Sequence, residues 1–132
     1  MTVETIKSIF KCHSYRATPQ RIEIYKYLCE HPTHPDVEDV YRYMLSSNPS
    51  ISRTTIYNVL QSLEQEGLIL SVKIDSERVH YDADISLHGH FRCIKCNKIF
   101  DFDIDNIKCD SINDFEIKTR DVYYSGICPE CK

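Results

Sequence analysis

SRTTIYNVLQSLEQEG, residues 52–67, followed by LILSVKI (68–74) and RVHYD (78–82), is the stretch that decides the fold. Ser52 is a helix N-cap residue and Gly67 a helix stop. Between them Ile56, Val59, Leu60 and Leu63 fall on one helix face, while Arg53, Thr54, Tyr57, Asn58 and Gln61 share the other. The two runs that follow are strand-like and are joined by Asp75-Ser76-Glu77, a hairpin pattern. Helices followed by a hairpin are the parts of a winged helix, whose last helix is offered to the major groove. A solvated amphipathic helix makes the same pattern alone; the flanking elements favour the DNA reading.

Upstream, Thr5–Cys12 predicts a short helix with Ile6, Ile9 and Phe10 on one side. Thr18-Pro19 reads as an N-cap with proline at the first helical position, opening a helix to about Glu30 with Ile22, Tyr25, Leu28 and Cys29 inward. The prolines in His31-Pro-Thr-His-Pro35 break it. Asp36 then caps a helix carrying Val37, Val40, Tyr41, Met44 and Leu45 at helical spacing. Beyond Ala83 the character changes. Ile99–Asp103, Phe115–Ile117 and Val122–Tyr124 read as strands, and Asn106–Asn113 as a weakly patterned helix. These elements predict an α+β chain: a winged helix-turn-helix over 1–82 and a small α/β domain over 83–132.

The chain has 132 residues and no apolar run near the ~20 that a membrane helix needs. Glu4, Lys7 and Lys11 interrupt the N-terminal apolar residues, so no signal peptide is read there and a cytoplasmic location with no membrane partner is expected. The net charge of −4 counts mildly against a nucleic-acid binder. Residues 1–82 carry 9 Lys and Arg against 11 Asp and Glu, and residues 83–132 carry 7 against 9, so each part is at −2. A DNA face must therefore be assembled locally, from Arg16, Arg21, Arg53, Lys73 and Arg78, and bound cations would assist it.

Seven cysteines in a reducing compartment point to metal or redox chemistry. Four of them form two Cys-x-x-Cys hooks, Cys93 with Cys96 and Cys128 with Cys131. Thiolates so spaced on tight turns reach one tetrahedral ion, and two hooks complete a closed shell for structural Zn²⁺. Cys12, Cys29 and Cys109 lack such pairing and read as structural or neutral. His88 and His90 share a strand face by alternation. With Asp82, Asp101 and His34 they would make a nitrogen–oxygen site suited to Fe²⁺ or Mn²⁺, with one octahedral position open. Surface histidines and aspartates with no common ion give the same sequence pattern. His13, His31 and His80 lie near these features without a role.

Taken together, Arg16-Ala-Thr-Pro-Gln-Arg21, Ser52-Arg-Thr-Thr-Ile-Tyr-Asn58, Leu63…Gly67-Leu-Ile69, His88-x-His90-x-x-Cys93-x-x-Cys96 and Cys128-Pro-Glu-Cys131 resemble the ferric uptake regulator family over nearly the whole chain. The resemblance implies a homodimer of winged helices joined by C-terminal dimerisation domains, binding double-stranded operator DNA. It implies a regulatory ion at His34, Asp82, His88, His90 and Asp101, and structural zinc at the four hook cysteines. Aspartates at 82 and 101, where iron-sensing members typically have glutamates, resemble the peroxide-sensing branch. That branch implies a repressor inactivated by iron-catalysed oxidation of His34 or His88 to 2-oxo-histidine. Leu87 and Gly89 stand where a further ligand cluster is expected, and the segment between Asp103 and Asp121 is short for the family. For DNA, Arg53 and Tyr57 with Thr54 and Asn58 are expected at the groove, and Arg16, Gln20 and Arg78 at phosphates.

The alternative within the family is an iron-responsive repressor without ligand oxidation. A metallohydrolase activating water at the His/Asp residues is a competing class, but no substrate-pocket signature or further general base is evident, so the chain is not read as an enzyme. A zinc-stabilised interaction domain that never binds DNA is the third reading.

Overall fold

The computed structural model describes residues 1–73, 78–118 and 120–132. It divides into two compact units, Met1–Ile85 and Ser86–Lys132.

The first unit opens with α1 (Val3–Cys12), α2 (Pro19–Glu30), α3 (Val37–Leu45) and α4 (Arg53–Gln65). Local chemistry starts each of the last three where the sequence predicts. The Thr18 hydroxyl accepts the Arg21 N–H, and the Ser52 hydroxyl accepts the Thr55 N–H. Asp36 and Asp39 form a reciprocal capping box. Helix α1 begins two residues before the expected Thr5, because Thr2 caps it through the Thr5 N–H.

Helix α4 ends in a Schellman motif. The Gly67 N–H reaches the Glu64 carbonyl at 2.9 Å and the Leu68 N–H reaches the Leu63 carbonyl at 2.9 Å. Gly67 has φ +72° and open space where a Cβ would project, so the constraint is backbone conformation and not crowding. Gly67→Ala is expected to destabilise the first unit by about 1–2 kcal/mol, seen as a lower urea midpoint. An unchanged midpoint would mean that the left-handed turn contributes nothing to stability.

The core of this unit takes Ile6 and Phe10 from α1, Ile24 and Leu28 from α2, Val40 and Met44 from α3, and Ile56, Leu60 and Leu63 from α4. The α4 stripe is the one expected, with Val59 also buried. On α2 the expectation is corrected: Ile24 is fully buried, whereas Ile22 and Cys29 only pack against the core's edge. Helix α2 is contacted by α1, α3, α4 and β2, so its buried face is wider than a single stripe.

Two short strands, β1 (Leu70–Val72) and β2 (His80–Asp82), pair antiparallel with Leu70 opposite Asp82 and Val72 opposite His80. This is the base of the expected wing; its tip, residues 74–77, lies outside the described residues.

The second unit is a three-stranded sheet in the order β4-β3-β5, from β3 (His88–Cys93), β4 (Ile99–Asp103) and β5 (Tyr123–Gly126). β3 pairs antiparallel with β4 and parallel with β5. The helix expected over 106–113 is corrected to one 3₁₀ turn, Asp110–Ile112, whose leading residue Cys109 makes no side-chain cap bond. Asn106, Asp110, Ser111 and Asn113 compete for backbone hydrogen bonds, and no apolar stripe outweighs them. The strand expected at Phe115–Ile117 is likewise absent; Phe115 is 68% exposed.

Candidate metal centres and nucleic-acid interface

The four hook cysteines converge within the second unit, their sulfurs all within 4.8 Å of one another. Cys96 Sγ and Cys128 Sγ are 3.8 Å apart. Two sulfurs sharing a tetrahedral Zn²⁺ at ~2.3 Å lie about 3.8 Å apart, and a disulfide requires ~2.05 Å. The loops are shaped for this. Asn97 takes a left-handed conformation (φ 62°) as its N–H returns to the Cys93 carbonyl at 2.8 Å. The N–H groups of Cys128 and Cys96 each donate to Cys93 Sγ at 3.5 Å. These donors pull the Cys93 thiol down to about 6, while hydrogen bonding to Cys128 and desolvation push Cys131 up to about 12. Four adjacent thiolates repel unless a cation lies among them, so the donor set fits a soft divalent ion and leaves it no open position.

The nitrogen–oxygen residues form one group in each unit. In the first unit His34 Nε2 lies 3.4 Å from Asp82 Oδ2. His34 has φ 60°, an uncommon conformation for a non-glycine residue. Backbone contacts hold it there: His80 Nδ1 donates to the His34 carbonyl at 2.7 Å, and the Tyr81 N–H donates to the Pro35 carbonyl at 2.9 Å. Asp82 Oδ1 accepts the Asp84 N–H at 2.9 Å, which directs the carboxylate. Strand β2 thus supplies Asp82 and also stitches the His34 loop in place.

In the second unit β3 places His88 and His90 on one face, and Asp101 lies opposite His90 on β4. Asp101 Oδ1 is 3.4 Å from His90 Nε2 and 3.6 Å from His88 Nε2. His88 Nδ1 donates to the Ser86 carbonyl at 2.7 Å. A carbonyl only accepts, so Nδ1 carries the proton, and Nε2 is the ring nitrogen turned toward Asp101. A neutral His88 would offer its Nε2 lone pair, and beside the carboxylate oxygen that is a donor set a divalent cation can bridge. Ligand atoms ~2.1 Å from one ion lie about 3.0–3.4 Å apart; the His90–Asp101 separation falls within that range and the His88–Asp101 separation is slightly wider. Gly89, between the two histidines, faces the other way, where Phe102 crosses its backbone; a Cβ there would meet the ring at 2.1 Å. This close approach needs glycine and packs β4 beside the histidine pair.

On α4, Arg53, Thr54, Tyr57, Asn58 and Gln61 are all exposed, opposite the buried stripe. Arg16 is exposed and its carbonyl accepts Arg21 Nη1, while Gln20 is half-buried in the first turn of α2. Arg78 is exposed but pairs with Asp36 Oδ2 at 3.2 Å, tying the wing to the α3 cap. Sequence reasoning missed two residues at this surface. Glu38 pairs with Arg53, and Tyr41 lies beneath its guanidinium. The side chains meet across separate helices, and no spacing rule marks such a contact.

The model of the ferric uptake regulator family matches residues 13–131. The chain is 36% identical over 132 residues to the transcriptional regulator PerR of Clostridium acetobutylicum, spanning 96% of each protein. It is 29% identical over 140 residues to the ferric uptake regulation protein of Synechococcus elongatus, spanning 99% of this chain and 95% of the relative. Its fold is similar to the ferric uptake regulator Fur of Helicobacter pylori, with TM-score 0.75 and 20% identity over 99% of this chain and 94% of that one. No helix among the described residues is long and apolar enough to cross a membrane.

Proposed function

This chain belongs to the ferric uptake regulator family, and we propose that within it the protein is a metal-dependent transcriptional repressor that senses hydrogen peroxide. The carrying observation is the pair of histidines on β3 whose Nε2 atoms face Asp101, with the His88 tautomer held by Ser86. In this reading the regulatory ion takes His34, Asp82, His88, His90 and Asp101 as ligands, and the four cysteines hold structural zinc. The protein acts as a cytoplasmic homodimer on double-stranded operator DNA, with Arg53, Thr54, Tyr57 and Asn58 at the groove and Arg16, Gln20 and Arg78 at phosphates. Similarity to a PerR regulator supports the peroxide branch, as do the short aspartate side chains at 82 and 101.

Bound Fe²⁺ supplies the redox chemistry for peroxide, whereas Mn²⁺ holds the same ligands without it. The chain's part is to present imidazole carbons beside the reacting oxygen. At His34 or His88 the ring gains one oxygen atom while peroxide leaves as water. The altered ring binds metal poorly, and the DNA-competent population falls with occupancy.

The test loads the protein with Fe²⁺ anaerobically, adds stoichiometric peroxide and maps oxidised peptides by mass spectrometry, with Mn²⁺ as control. One added oxygen on His34 or His88, only with iron, is the expected result. No histidine oxidation with iron demonstrably bound would leave the iron-responsive repressor as the better reading, which the Synechococcus relative favours.

A further inference from the structure

Arg53 is the first residue of α4, and three contacts define its guanidinium. Its Nε lies 2.6 Å from Glu38 Oε1 and its Nη2 lies 3.4 Å from Glu38 Oε2. Its Cζ lies 4.2 Å from the centroid of the Tyr41 ring. Glu38 therefore occupies the side edge of the guanidinium, and Tyr41 covers one face. What remains is the end-on fork, both Nη1 hydrogens and the second Nη2 hydrogen.

The arrangement is poorly explained as a device for folding. Both side chains are more than half exposed or nearly so, at 61% and 50%, and exposed ion pairs contribute little to stability. A cation at a helix N-terminus also opposes the helix dipole. The contacts do something else well: they remove rotamer freedom from a long, exposed side chain at the start of α4 and leave its end-on fork clear of both partners. That fork matches the O6 and N7 acceptors of guanine in the major groove, the commonest specific arginine contact.

We propose that Glu38 and Tyr41 preorganise Arg53 to read a guanine, which makes Glu38 a specificity-determining positioning residue of the interface. The proposal rests on the DNA-binding reading above. Glu38 itself touches no base; it holds the edge of the guanidinium that the base does not use.

The experiment selects duplexes from a random-sequence pool with the full-length, zinc- and Mn²⁺-loaded protein, then repeats the binding with 7-deazaguanine at each selected guanine. That base lacks the N7 acceptor and leaves the phosphates unchanged. Wild type is expected to lose roughly tenfold in affinity at one position. Glu38→Gln and Arg53→Met are expected to bind the unmodified site less selectively and to be insensitive to 7-deazaguanine there. Tyr41→Phe should keep the penalty and Tyr41→Ala should lose it. Helicity by circular dichroism confirms that the variants fold.

A penalty undiminished in Glu38→Gln would overturn the positioning role. Uniformly weaker binding of all duplexes with a shallower salt dependence would assign Arg53 to a phosphate and overturn the guanine contact. Selected sites without a sensitive guanine would do the same. If wild type retains no duplex in the presence of metal, the DNA-binding reading itself falls.

Discussion

Cys128→Ser is expected to release zinc and leave Ser86–Lys132 without stable structure, while Met1–Ile85 keeps its helices. The reason is where apolar side chains are buried. The continuous hydrophobic core lies within the first unit. Among the described residues of the second unit, the buried hydrophobic side chains are Cys93 and Cys128 themselves. A three-stranded sheet without a core of its own is below the size at which burial alone sustains a fold. Metal binding at four thiolates has an apparent free energy of ~10–16 kcal/mol near neutral pH, and in such a unit that is folding free energy. Cys128 is the informative position because it contributes twice. Its sulfur lies 3.8 Å from Cys96 Sγ, and its backbone N–H donates to Cys93 Sγ at 3.5 Å. Serine keeps the second contribution and removes the first. Zinc content, circular dichroism and limited proteolysis would check this: zinc should be lost and cleavage confined to the second unit. A zinc-free variant whose second unit still resists protease would show that the sheet is self-sufficient.

What was legible in the sequence was local. Ser52, Thr18 and Asp36 act on backbone groups three residues away, and Gly67 acts on its own φ, so each reports directly on a helix end. The Ile56–Leu63 stripe follows from helical periodicity, because α4 packs with one face. The hooks were legible because a tight turn brings cysteines three apart to one point regardless of what surrounds them. Failures have the opposite character. Ile24 displaces Ile22 in the core because α2 is enclosed by several neighbours, which its own periodicity cannot record. The 106–113 segment carries enough apolar residues to suggest a helix, yet lacks a cap and a face to bury. Arg53 was noticed as a cation on an exposed face, but its orientation depends on Glu38 fifteen residues earlier. Likewise the requirement for glycine at 89 comes from Phe102 on the neighbouring strand. Residue types that carry chemistry could be picked out one by one; the side chains that aim them are set by tertiary contacts.

Asp101→Asn is expected to abolish the metal response while leaving the zinc-bound fold intact. Asp101 Oδ1 is within 3.4 Å of His90 Nε2 and 3.6 Å of His88 Nε2, so one carboxylate serves both imidazoles. The amide is nearly the same size and keeps a carbonyl oxygen, but it removes the negative charge that draws a divalent cation to the two imidazoles. It also offers an N–H that the Nε2 lone pair can accept, a contact that favours the metal-free state. Both effects act against the ion. Loss of an outer partner of a ligand typically costs 10–100-fold in metal affinity, so replacing this carboxylate should weaken Mn²⁺ binding by more than about 100-fold. The cysteine cluster shares no residue with this group and should keep its zinc. Titration calorimetry with Mn²⁺ and duplex-shift assays over a range of Mn²⁺ would read the two consequences separately. If Asp101→Asn shifted duplex DNA at the same Mn²⁺ concentration as wild type, the regulatory ion would have to lie elsewhere. Its ligands would then not include the histidine pair of β3. If DNA were bound equally well with and without Mn²⁺ in wild type, metal control of DNA binding would fail before the location of the site arose.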